Sequence, residues 1–182
     1  MLLRAAENWG ATAEDLDRSL PCDDLLCDAE VVVHRAVDVD APPELVFRWL
    51  CQLRVAPYSY DLIDNGGRRS PQRLTPGLDR LVVGQPAMRL FHLAAFAKPE
   101  QISFCHTGLF GRVAVSYAVT PRDGRSHLYA RIRWTPPDLP VPKALTIEAM
   151  GVGDLIMARR QLLNLKRLAE RDAAEGRAGA GS

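Results

Sequence analysis

The feature that most narrows the fold is a run of short apolar segments: about Arg80 to Val83, Ala87 to Leu93, Gln101 to Thr107, Arg112 to Thr120 and Ser126 to Trp134. Each is bounded by Gly, Pro, Asp or a polar cluster, which is the punctuation of β-strands. The stretches between them are too short for a crossover helix, so consecutive strands must pair antiparallel. Pro121-Arg122-Asp123-Gly124-Arg125 supplies the Asp-Gly pair of a hairpin turn. One more strand precedes the run. In Val31 to Asp40, Val31, Val33, Val37 and Val39 share a face with Arg35, and His34, Asp38 and Asp40 share the other.

Two helical stretches separate that strand from the run. Ala41-Pro42-Pro43-Glu44 opens the first, because proline is tolerated in a first turn and an acid there suits the helix dipole. Leu45, Val46, Trp49, Leu50 and Leu53 form its apolar stripe. Pro57 ends it, and Tyr58 to Asn65 predicts a short helix or turn closed by Gly66-Gly67, followed by a loop carrying Arg68, Arg69 and Arg73. After the proline-rich stretch from Pro136 to Pro142, Asp154 is placed to cap a last helix from Leu155 to about Glu175. Leu155, Ala158, Leu162, Leu165 and Ala169 are its apolar stripe, with Arg159, Lys166, Arg167 and Arg171 on the wetter side. Residues 1–29 read as an N-terminal arm with a short helix from Thr12 to Leu20, capped by Thr12 and ended by Pro21. Residues 30–175 are then the domain, and the Gly/Ala/Ser-rich residues 176–182 a flexible tail.

Composition limits the function. A chain of 182 residues with 47% hydrophobic and 25% charged residues buries a core as one compact domain. A net charge of +1 argues against a nucleic-acid binder, which needs many phosphate-neutralising cations. The charge is uneven, since residues 1–40 hold ten acids against three arginines. Cys22, Cys27, Cys51 and Cys105 form no disulfide framework in a chain with a sizeable core, and no second Cys/His pair follows Cys22 and Cys27 at a zinc-like spacing. No metal and no cofactor are expected. No apolar run is long enough to cross a membrane and the opening residues do not read as a signal peptide, so the expectation is a cytoplasmic protein.

The order strand, two short helices, antiparallel strands and long final helix is α+β, with a sheet that needs cover on one face. It resembles the START-like, Bet v 1-like helix-grip superfamily, the SRPBCC proteins. The resemblance is carried by the strand Val31 to Asp40, by Ala41-Pro42-Pro43-Glu44-Leu45-Val46-Phe47-Arg48-Trp49-Leu50, by Tyr58-Ser59-Tyr60-Asp61, and by Gly153-Asp154-Leu155-Ile156-Met157. It implies a curved antiparallel sheet wrapped around the C-terminal helix, leaving an apolar cavity for a lipid, sterol or polyketide. Such proteins include carriers, polyketide aromatase/cyclases and hormone receptors, and they share no invariant catalytic motif. The implied function is binding of a hydrophobic or amphipathic small molecule, as carrier or sensor. A cyclase- or hydratase-like enzyme using the same cavity is the first alternative, and a ligand-free protein-interaction module, with homodimerisation left open, is the second.

The candidate ligand-binding residues are Trp49, Tyr58, Tyr60, Met88, His92, Phe104, His106, Tyr117 and Met157. His92 is expected to share a face with Met88 and Leu90, and His106 with Ile102 and Phe104, so that two imidazoles enter one interior and serve an acid/base role. The plainer reading of both is a satisfied core or strand-end histidine. Tyr58, Tyr60 and Asp61 are expected at the cavity mouth with Arg68 and Arg69 beyond, while Trp49, Met88, Phe104, Tyr117 and Met157 supply apolar wall. Cys105 and His106 are consecutive in a strand and so face opposite sides, which excludes a direct dyad. Gly151-Val152-Gly153-Asp154 lacks the third glycine and the βαβ context of a dinucleotide loop. Arg35 either carries its head group into water at a sheet edge or, if buried, needs a partner such as Glu148, Asp154 or an acidic ligand.

Overall fold

The computed structural model describes residues 8–108, 111–138, 140 and 143–180. In chain order the elements are β1 (Asn8–Trp9), α1 (Ala13–Asp17), α2 (Pro21–Leu25), β2 (Val31–Val39), α3 (Pro43–Cys51), a 3-10 turn (Gln52–Arg54) and α4 (Asp61–Asp64). Then come β3 (Pro86–Ala87), β4 (Phe91–Ala97), β5 (Gln101–Gly108), β6 (Gly111–Arg122), β7 (Arg125–Thr135) and α5 (Lys143–Ala180). The strands form one seven-stranded sheet in the order β1-β2-β7-β6-β5-β4-β3. Every pair is antiparallel except β1 on β2. This is the α+β helix-grip architecture, with α3 and α5 packed across one face of the sheet.

Alternation along the strands divides the sheet into two faces, with one register shift in β4 between Leu93 and Ala95. On the gripping face Leu93, Ile102, Phe104, Val115, Tyr117, Val119, Leu128 and Ala130 meet Val46, Trp49 and Leu50 of α3 and Leu162, Leu165 and Ala169 of α5 in one buried cluster. Burying a side chain of this size stabilises by about 1.5–3 kcal/mol. On the other face Leu20, Cys22 and Leu26 of the arm cover Ala36, Ala114, Ala118 and Tyr129. The arm reaches that face by turning at Gly10 (φ +74), where a Cβ would lie 2.1 Å from the Ala36 carbonyl oxygen. Only glycine allows that approach.

Four expectations meet a different backbone. The segment Arg80 to Val83 is a set of turns, not a strand, because Val82 and Val83 are both exposed and Gly84 (φ +89) follows. The segment Ala87 to Leu93 is divided: Met88 (φ 42) and Arg89 (φ 65) take left-handed conformations, so β3 ends at Ala87 and β4 begins at Phe91. Thr12 does cap α1, in a capping box with Asp15, but Pro21 starts α2 instead of only ending a helix. The last helix begins at Lys143 and runs to Ala180, so 151–154 lie within it and helix continues where a tail was expected. The side chains of Glu148, Gly151 to Asp154 and their neighbours lie outside the described residues.

Candidate functional site

A cleft of about 400 Å³ lies between the segment 58–72 and the flank of α5. Arg160, Asn164 and Arg167, at helical positions i, i+4 and i+7, present one face of α5 to it. Tyr58, Ser59, Tyr60, Asp61, Leu62, Ser70 and Gln72 form the opposite wall, and Leu168 the base. The segment is tied in place locally. Asp61 accepts from the backbone N and Oγ of Ser70 at 2.8 and 2.5 Å, and Asn65 Nδ2 donates to the Arg68 carbonyl at 2.7 Å. Asn164 Nδ2 donates to the Tyr58 carbonyl at 2.8 Å, fixing wall to helix.

Tyr58 is the unusual residue of this wall. Its backbone is left-handed (φ 57), a conformation rare for an aromatic residue. The ring is 2% exposed and meets Trp49 edge-on at 6.0 Å. Its hydroxyl is buried without a hydrogen-bond partner among the described residues. Burial, with a smaller contribution from Asp61, pushes the phenol well above its ordinary pKa, so it is a neutral donor.

The nine predicted residues do not form one site. Tyr58 and Tyr60 line the cleft. Trp49, Phe104 and Tyr117 are packed core behind it, and Met88 lies beside them with its sulfur 3.7 Å from Gln161 Nε2. Gln161 ties this wall together, accepting from the Tyr117 hydroxyl at 2.5 Å and donating to the Pro57 carbonyl at 2.6 Å. Trp49 Nε1 donates to Asp172 at 3.1 Å. Met157 is half-buried on α5. His106 lies on the gripping face near the sheet end, with Nδ1 2.8 Å from the Leu90 carbonyl and Nε2 without a partner. His92 does not join it. It pairs with Cys105 on the opposite face and is exposed, because the left-handed turn at Met88 and Arg89 breaks the alternation that would have aligned it with Met88.

Sequence reasoning missed Arg160, Asn164, Gln161 and the Asp61–Ser70 pair. Gln161 carried a usable signal, since it interrupts the apolar stripe between Ala158 and Leu162. Arg35 was also placed wrongly by the plainer reading: it is 1% exposed on the gripping face, between β1 and β7, and its Nη1 donates to the His34 carbonyl at 2.8 Å. Its suggested partners Glu148 and Asp154 lie outside the described side chains.

A second polar cluster occupies the arm side of the sheet. His127 meets Asp15 at 2.9 Å and Asp38 at 2.7 Å. Arg131 binds Asp23 at 2.5 Å, the Tyr129 hydroxyl at 3.1 Å and the carbonyls of Asp15 and Leu16. Tyr129 in turn meets His34 Nδ1 at 2.7 Å. Burial, then the Arg131 and Arg35 charges, lower His34 to a pKa of about 4. Burial opposes ionisation of Asp15, yet hydrogen bonds from Thr12 and His127 hold it below the ordinary carboxylate value. The members of this cluster pair mostly with one another, and the Asp38 side chain reaches solvent.

Among the described residues no three His, Cys, Asp or Glu side chains group as metal ligands, and no helix is long and apolar enough to cross a membrane. No protein-family model matches the sequence, and no curated protein does. Solved structures do match in shape. Protein CV1439 from Chromobacterium violaceum superposes with a TM-score of 0.50 at 15% identity, over 76% of this chain and 96% of its own. Protein MLL2253 from Mesorhizobium loti superposes with a TM-score of 0.50 at 18% identity, over 77% of this chain and 97% of its own. At such identities the likeness is one of fold, and it agrees with the α+β helix-grip architecture of the sheet order and the gripped C-terminal helix.

Proposed function

We propose that this chain binds a small amphipathic molecule, as a carrier or sensor, at the cleft between segment 58–72 and α5. The observation that carries the reading is the Tyr58 hydroxyl, a buried donor without a partner among the described residues, in a residue that walls a cleft of about 400 Å³. Buried polar groups are paired in the great majority of cases, so a partnerless one at a cleft marks where a ligand atom or its bridging water belongs. The volume lies within the range of small-ligand sites, about 300–1,000 Å³. Apolar surface is present as well: Leu62, on the same wall, is 83% exposed.

Binding is favoured over catalysis by the placement of the acid/base candidates. His92 and His106 lie on opposite faces of the sheet, and the Tyr117 hydroxyl is already held by Gln161. In this reading Trp49, Met88, Phe104 and Tyr117 are the rigid wall behind the ligand, with residues 30–175 as the binding domain and 1–29 as its cover.

The test is fluorescence titration with N-phenyl-1-naphthylamine, a neutral apolar probe. Saturable binding at one site per chain, weakened several-fold by Leu62→Asp, is expected. A wild-type protein that melts cooperatively but gives no saturable signal would overturn the reading.

A further inference from the structure

Two guanidinium groups line the cleft, and neither meets a carboxylate among the described residues. Arg160 lies over the Tyr60 ring at 5.0 Å, and Arg167 donates to Gln72 Oε1 at 2.9 Å. Arg112, Arg131, Arg133 and Arg171 each reach an acid within 3.2 Å elsewhere in the molecule. The acid on the cleft wall, Asp61, is occupied by both donors of Ser70. The cleft therefore carries two positive charges whose anionic partner the described chain does not supply.

The wall opposite the arginines holds one exposed aliphatic side chain, Leu62, the most exposed large hydrophobic residue described. A free inorganic anion would leave that surface in water, and a neutral apolar molecule would leave the arginines unused. Guanidinium groups favour oxyanions, because their N–H fork matches carboxylate and phosphate oxygens.

We propose that the cleft takes a monomeric amphiphile with an oxyanion head, carboxylate or phosphate, held by Arg160 and Arg167, with its tail over Leu62 and the Tyr60 ring. This specifies the polar end of the ligand and rests on the binding function proposed above.

Displacement of bound N-phenyl-1-naphthylamine by three compounds of equal tail length tests it: decanoate, decyl phosphate and decanol. At least one anion is expected to displace the probe at a concentration about tenfold below that of decanol, the scale of a hydrogen bond to a charged group. That preference should shrink towards unity between 50 mM and 500 mM NaCl, since both arginines are solvent-exposed. In the double variant Arg160→Gln, Arg167→Gln the anions and the alcohol should compete within about twofold of one another, the charge-assisted part of binding being removed. Decanol as effective as both anions in the wild-type protein, or an anion preference that survives the double substitution, would overturn the inference. Those outcomes require that the probe binds, so they are distinct from the failure of the binding function itself.

Discussion

The two faces of the sheet are buried by different physics. On the gripping face Phe104 opposes Val115, Ile102 opposes Tyr117 and Val119 opposes Leu128, and the contacts are shape and area. On the arm face the same strands present His34 against Arg131, Ala36 against Tyr129 and Asp38 against His127. There burial depends on satisfied polar groups: Ser103 and Ser116 share a hydrogen bond at 2.7 Å, Ser116 Oγ accepts from the Cys22 backbone, and Arg133 Nε donates to the Leu26 carbonyl. The lesson is that burial by area carries little pH dependence of its own, whereas burial that depends on ionisable groups such as His34 changes with their protonation.

The largest effect expected is on the gripping face. Phe104→Ala removes a ring that is fully buried and edge-on to Tyr117, and should cost about 3–5 kcal/mol in chemical denaturation. Its penalty should be nearly independent of pH between 5 and 8. A loss under about 1 kcal/mol would mean that the wall behind the cleft is loosely packed.

The arm face should show the pH dependence. The folded state holds His34 at a pKa of about 4 against an ordinary 6.5, so the unfolded chain takes up this proton first as pH falls. The stability it contributes is complete above pH 6.5 and is lost progressively down to about pH 4. The full span corresponds to an upper bound of about 3.5 kcal/mol, one pKa unit being about 1.4 kcal/mol, and solvent screening of this half-buried group lowers it. Thermal melts of the wild type and His34→Gln between pH 7.5 and 4.5 should converge as pH falls. Parallel curves would place the titrating group elsewhere.

The smallest effect concerns the seam where the arm passes from one face to the other. The Arg159 guanidinium sits 5.1 Å from the Trp9 ring centroid, linking β1 to α5. Arg159→Ala should cost about 0.5–1 kcal/mol, the size of an exposed cation–π contact. Native-state hydrogen exchange should localise the loss to residues 8–29. Faster exchange throughout the sheet would show instead that arm and grip unfold as one unit.

Much of this division is legible in the amino-acid sequence. The alternation of Val31 to Val39, the prolines opening α3 and the stripe Leu162, Leu165 and Ala169 are local patterns, and they determine the helix-grip order, because period and turn chemistry depend on neighbours in the chain. The apolar wall residues Trp49, Phe104 and Tyr117 are legible as core for the same reason, and Tyr58 and Tyr60 as a rim. What escapes the sequence depends on the third dimension. The left-handed pair Met88 and Arg89 sends His92 to the arm face, since a break in alternation inverts the side chains that follow it, here as far as the bulge between Leu93 and Ala95. Arg35 is buried because β1, distant by about twenty-five residues, closes the edge beside it. Arg167 reads as an ordinary wet-face residue of a helix, and the sequence pattern gives Arg160 no role. Only the packing of segment 58–72 against α5 gives them a shared cleft, because a binding surface is made by chain segments meeting and not by any one stretch of sequence.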